Sequence, residues 1–501
     1  MRIKKFILIV MFFGLAYHSQ AQKHYDYNWA FGYGTGIYND TNYFGGAIMS
    51  FNGKLIHFFP QHRSFDIRVQ SNTYSDKLGE FLYLSNGCSL RDKFANNLKG
   101  ADTIGYGDVW SINCPNSNNV VQAGLFIPTD DSTINYIYLV VDTIGLRIKY
   151  KYLLSAKIYI PTDSLIYKDK LIIQDTLYHG LHAIPAIDAN KWWIICPQYN
   201  VNKIWAFLYK DDGVIQKIEN VIGNVNDSLS WGAGQGFFSP DGKHYALYSP
   251  NSGLQVFEFD RLSGTLSNFK YFKIIYSNNV LGGCSFSPDS RFLYVCNPTE
   301  VLQIDLYESD STKAIDTVGV FDNFFEPYPT TYLQMALGPD CRIYISTYGG
   351  NRYLHVIMYP INKGKACQLI NRGLKLPSRN SFAIPNNPHY RVDDPYPCDS
   401  TIAIHLNVGT QDQEEGVYRS SDLMIYPIPA EDLLHLQIIR DHSSESEVFI
   451  YDIQGRTVLH QCYLSLNDEQ TIDVSRLYSG IYFVMVRDRT GKRWMERFVK
   501  R

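Results

Sequence analysis

Three segments in the middle of the chain follow one plan at a spacing of about fifty residues, and that repeat restricts the fold more than any other feature. FFSPDGKHYALYS begins at Phe237, CSFSPDSRFLYVCN at Cys284 and MALGPDCRIYIST at Met335. Each reads as a short strand, a Pro-Asp-x turn and a second strand rich in β-branched and aromatic residues. Pro240, Pro288 and Pro339 are 48 and 51 residues apart. The same shape with degenerate turns occurs in AIDANKWWIICP from Ala186 and FIPTDDSTINYIYLVV from Phe126. GEFLYLSNG, from Gly79, supplies the second strand of an earlier copy. Further hairpin turns between these anchors end at Gly213, Gly264 and Gly364. Two hairpins per repeat make a four-stranded blade, and a series of blades makes a β-propeller. Six anchors fall between Gly79 and Cys341, and SFAIP from Ser381 would close a seventh blade by joining strands between Trp29 and Phe59. The expectation is an all-β chain with a seven-bladed propeller, six to eight blades fitting the spacing.

The end of the chain has another pattern. Leu434, Leu436 and Ile438 alternate with His435, Gln437 and Ile439, a mostly period-two strand. Val448 to Tyr451 and Ile481 to Val486 read as two more, with a Gly turn at Asp452 to Gly455. Short strands with frequent turns suggest a small Ig-like β-sandwich. Its motifs are Tyr426, Pro427, Pro429 and Ala430; then Asp452, Gly455 and Arg456; then Leu477, Gly480 and Tyr482. In that order they resemble the type A C-terminal sorting domain of the type IX secretion system, with Ile428 where the family usually has Asn. The resemblance implies export to the cell surface or medium with the type IX machinery as partner.

The other end agrees with export. Arg2, Lys4 and Lys5 precede an apolar run from Phe6 to Ala16, and Ser19-Gln20-Ala21 offers small residues for cleavage. This is the succession of a secretory signal peptide, too short to span a bilayer. The expected organisation is a signal peptide over 1–21, a propeller over 22–392, a linker over 393–421 and the sorting domain over 422–501. No stretch in the mature chain is apolar enough for a transmembrane segment. Net charge is −3 with no Lys/Arg stripe, so a nucleic-acid surface is not supported.

Over residues 28 to 398 the chain also resembles secreted propeller proteins that carry the same sorting label and have no assigned activity. That resemblance rests on NWAFGYGTGI near Trp29, FLYLSNGCSL near Cys88, WGAGQGFFSPDG from Trp231, YLHVIMYPINKGKAC from Tyr353 and the SFAIPNNPHYRV run. It implies fold and route, and brings no catalytic residues.

Motifs for chemistry are sparse. Asp241, Asp289 and Asp340 recur once per repeat, which a turn explains through Asp accepting backbone N–H bonds. His179 and His182 have H-x-x-H spacing, but residues three apart on a strand face opposite sides and share a metal only across a turn. The G-x-G-x-G runs at Gly32 and Gly232 lead to strands, so they read as close-packed turns instead of phosphate loops. No G-x-S-x-G, H-E-x-x-H or Walker pattern occurs. Neither catalytic residues nor a metal or cofactor site is therefore expected. Trp192, Trp193, Trp205 and Trp231 offer a glycan-stacking surface, although Trp192 and Trp193 point to opposite faces and at least one should pack between blades.

Two functional classes follow. One is a non-catalytic binding protein that holds a glycan, surface protein or matrix component on its loops, with Trp231, Tyr348 and Arg352 as candidate anchors. The other is an extracellular enzyme, lactonase- or hydrolase-like, whose groups converge in the central funnel without a linear motif. Nine Cys in an exported chain suggest disulfides, with Cys284–Cys296 and Cys367–Cys398 as candidate pairs and buried free thiols as the alternative. Asp followed by Ser or Thr and an apolar residue or Thr resembles the O-glycosylation sequon of bacteria with this route. It occurs at Thr103, Ser132, Thr143, Ser164, Thr176, Ser228, Ser311, Thr317 and Ser400; turn formation explains Asp-Ser and Asp-Thr equally well.

Overall fold

The computed structural model describes residues 23–34, 44–118, 120–144, 147–188, 190–211, 213–225, 234–276, 281–310, 313–394, 397–407, 423–427, 429–438, 445–452, 456–463, 470–489 and 493–501. The expected signal peptide, Trp231, Ile428, Gly455, Ser228, Ser311 and residues 408–421 of the expected linker lie outside them. The chain divides into two compact units, Met1–Val408 and Gly409–Arg501.

Among the described residues the first unit holds seven sheets. Blade 1 is Asn28–Gly32, Gly46–Ser50 and His57–Gln61; blade 2 is Gln70–Ser75, Phe81–Ser85 and Leu90–Asp92. Blades 3 to 7 each have four antiparallel strands and begin at Gly124, His182, Gln235, Gly283 and Met335. Strand alternation sends each blade's two faces into two different neighbours. Trp192 and Trp205 pack with Leu125, Ile137 and Leu153 of blade 3, while Trp193 packs with Phe238, Tyr245 and Phe259 of blade 5. Such apolar layers join every successive pair, and Trp29, Met49 and Phe51 meet Tyr344, Leu354 and Val356 to join blade 7 to blade 1. Seven sheets with seven interfaces form a closed ring: a seven-bladed β-propeller. Of the tryptophans expected to form a stacking surface, Trp192, Trp193 and Trp205 are buried between blades, and Trp231 lies outside the described residues. Gly264, at φ +77°, shows how close that packing is: a Cβ there would sit 2.4 Å from the Trp193 ring.

Three expectations change at the seam. Ile384–Pro385, from the SFAIP run, pairs in parallel with Gln70–Ser71 of blade 2 instead of completing the sheet of Trp29 to Phe59. Residues 397–407, expected in the linker, belong to the propeller. Asp399 N–H donates to the Pro339 carbonyl of blade 7, and Ala403 exchanges bonds with Lys54 and Ile56 of blade 1. The tail thus bridges first and last blades, and Cys398 is bonded to Cys341. A second disulfide joins Cys88 to Cys114. Neither expected pair forms: Cys284, Cys296 and Cys367 are buried free thiols. Cys284 lies opposite Val295 in the ladder and Cys296 opposite Gly283, so the two face different partners.

The second unit is a two-sheet sandwich. Leu423–Tyr426, Leu433–Ile438 and Gln470–Asp473 form one sheet; Thr457–Tyr463, Ser446–Asp452, Gly480–Asp488 and Arg493–Lys500 form the other. Leu434, Leu436, Val448, Ile450, Val484 and Trp494 fill the space between them.

Candidate functional site

The recurrent aspartates are spent on their own turns. Asp241 accepts from Ser239 Oγ and the Lys243 N–H, and Asp289 accepts from Ser287 Oγ and the Arg291 N–H. Asp340 accepts from the Arg342 N–H and guanidinium and from Tyr344 Oη. Gly32, Gly34, Gly234 and Gly236 are close-packed, each lacking room for a Cβ.

The propeller axis is filled by its own chain. Ile384 to Tyr390 pairs with blade 2, hydrogen-bonds blades 3 and 4 and packs on blades 1 and 7. Asn386 Nδ2 donates to the carbonyls of Gly124 at 3.1 Å and Leu181 at 3.2 Å, and its Oδ1 accepts from Gln122 at 3.0 Å. Tyr390 Oη donates to the Phe126 carbonyl. Pro385, Asn387, Pro388 and His389 share a cavity of only about 20 Å³ with Trp29, Phe237, Ser285 and Ala336. His179 Nε2 lies 3.4 Å from the Tyr248 carbonyl and His182 Nε2 lies 3.1 Å from that of Asn387, so the H-x-x-H histidines part to different partners. Burial lowers their pKa to about 4 and about 3, and that of His389 to about 4, which keeps the rings neutral at pH 7. Asp26, a carboxylate on the same small cavity, is held by Arg391 at 2.6 and 2.8 Å.

An open hollow of about 490 Å³ lies elsewhere, where four chain connections meet. Tyr33 and Phe44 come from the first connection of blade 1, Tyr328 from the approach to blade 7, Tyr348 from a turn within blade 7, and Arg379 and Phe382 from its exit. Tyr348 and Phe382 meet edge to face at 5.4 Å, as do Tyr33 and Phe44 at 5.3 Å. Gly350, at φ +87°, lets the Tyr328 ring come within 2.8 Å of where a Cβ would stand. Arg379 donates to the Gly350 carbonyl and lies 5.7 Å from the Phe44 ring centre. Phe44, Tyr328 and Tyr348 remain 44 to 51% exposed, which leaves ring faces available to a ligand.

Of the expected anchors, Tyr348 lines this hollow. Arg352 does not: its Nε and Nη2 bond to the carbonyls of Leu376 and Pro377 along the neighbouring strand. Arg379 holds the cationic place instead, and together with Tyr328 and Phe382 it went unread in the sequence. The aromatic and proline density of FFEPYP, from Phe324, was the available signal.

In the sandwich the motif residues serve its turns and edges. Arg456 donates to both oxygens of Asp452, at 3.0 Å from its N–H and 2.8 Å from Nε. Ala430 is fully buried and exchanges main-chain bonds with Val499 and Arg501. Tyr426 stacks on His435, Pro427 is exposed and Pro429 half-buried. Leu477 packs on the core, Gly480 starts a strand, and Tyr482 Oη donates to the Tyr478 carbonyl. Residues 424–501 match the family described as secretion system C-terminal sorting domain. The second unit is a type IX sorting domain. It directs export to the cell surface or medium, and among the described residues no helix is long and apolar enough to cross a membrane.

No curated protein matches the chain in sequence. Similar solved structures include a protein of unknown function from Desulfotomaculum acetoxidans, 16% identical, covering 72% of this chain and 99% of its own, with TM-score 0.40. Another is the periplasmic gluconolactonase of Pseudomonas aeruginosa, 12% identical over 72% and 99%, with TM-score 0.41. Apo AztD from Citrobacter koseri is 9% identical over 72% and 86%, with TM-score 0.37.

Proposed function

We propose that this exported propeller is a non-catalytic binding protein that takes a glycan, protein or matrix ligand in the hollow around Tyr348. The observation that carries this reading is the set of half-exposed rings around a cavity of about 490 Å³, with Arg379 at its side. Aromatic faces supply contact area at low entropic cost, and a guanidinium supplies a directed polar contact. The filled axis supports the same reading, since its histidines are bonded to carbonyls and Asp26 is paired.

A glycan and protein array probed with the mature chain identifies the ligand. Tyr348→Ala and Tyr328→Ala then each weaken binding about tenfold or more, the loss typical of a buried aromatic anchor, with the fold unchanged by circular dichroism. Turnover of a lactone or ester that is abolished by changing His182 or Asp26 would overturn the proposal.

A further inference from the structure

We infer that Glu447, His460 and Cys462 of the sorting domain form a binding site for one divalent cation of the zinc class. Three ligand types suited to that ion converge here: a carboxylate, an imidazole and a thiol, with one donor atom from each lying within 4.8 Å of the others. The ladder brings them together. Glu447 pairs directly with Cys462 and Phe449 with His460, and His460 and Cys462 are two residues apart on one strand, so all three project from the same outer face.

Two of the donors are already oriented. His460 stacks on Phe449 at 4.3 Å and 8°, which aims Nε2 at Glu447 Oε1, 3.3 Å away. Arg487 grips the other oxygen, Oε2, through Nε at 3.0 Å and Nη2, fixing the carboxylate while Oε1 stays on the cluster side. This is the outer-shell support that metal-binding carboxylates commonly have. Tetrahedral zinc holds N, O and S donors about 3.3–3.6 Å apart, so small rotations about the Cys462 side chain complete the approach. The thiol gives its proton to solvent on binding, and the neutral imidazole offers its lone pair. A hollow of about 400 Å³, bounded by Glu447, Cys462, Arg487 and Arg489, leaves room for a water or an external group as fourth ligand.

Cobalt(II) titration of the purified chelator-stripped chain, with its sorting domain attached, tests the site. One equivalent should develop thiolate-to-cobalt charge-transfer absorption, and zinc should bleach it. Among the described residues Cys462 is the exposed free thiol, the other four being buried, so the band reports this position. It should vanish in C462S and need at least tenfold more cobalt in H460Q, with circular dichroism unchanged in both. A wild-type chain that gives no band, or a band that survives in C462S, overturns the inference.

Discussion

Near the propeller axis His179 and His182 are buried and His389 half-buried, with each ring held neutral. The unfolded chain protonates such rings near pH 6.5, whereas the folded chain resists to about pH 4 or below. Their contribution is therefore complete above pH 6.5 and is lost as pH falls from there through about 4, on the order of 2–3 kcal/mol for one group. Thermal unfolding of the propeller should drop steeply over that window. His179→Gln should flatten the pH slope while lowering stability at pH 7; an unchanged slope would refute the assignment.

At the scale of strands and turns, local chemistry was legible and distant pairing was not. Pro-Asp-x turns announce themselves because Asp241 and Asp289 satisfy N–H groups two residues on. The adjacent Trp192 and Trp193 announced opposite faces, and the structure sends them to different blades. The parallel pairing of Ile384 with Gln70 had no such signal, since nothing in either segment names its partner. The hollow was hidden for the same reason: four separate connections build it, and an arginine's role depends on whether a carbonyl is within reach, as for Arg352. The Cys341–Cys398 bond was equally unreadable, and it pins the tail that spans blades 7 and 1. Cys398→Ser should cost about 2–4 kcal/mol and open residues 397–407 to limited proteolysis. Equal midpoints of denaturation for the two chains would show that the tail holds without it.

Across the whole molecule, the propeller and the sorting domain are separate compact units. Deleting residues 422–501 should therefore strand a folded propeller in the periplasm, measured by fractionation; arrival of the truncated chain at the surface would contradict the address. Several expected sequon positions are accessible, with Thr317 and Ser400 exposed. Exported protein should accordingly weigh more than its bare mature sequence, and intact mass spectrometry decides this.

The segment from Ile384 to Tyr390 is the keystone of the ring, and it is nearly the last part of the propeller to be synthesised. Its bonds to Gly124, Leu181 and Phe126 join residues 205 to 264 apart in sequence, and contacts that distant form late in folding. A chain cut short ahead of Ile384 therefore loses ring closure and address together.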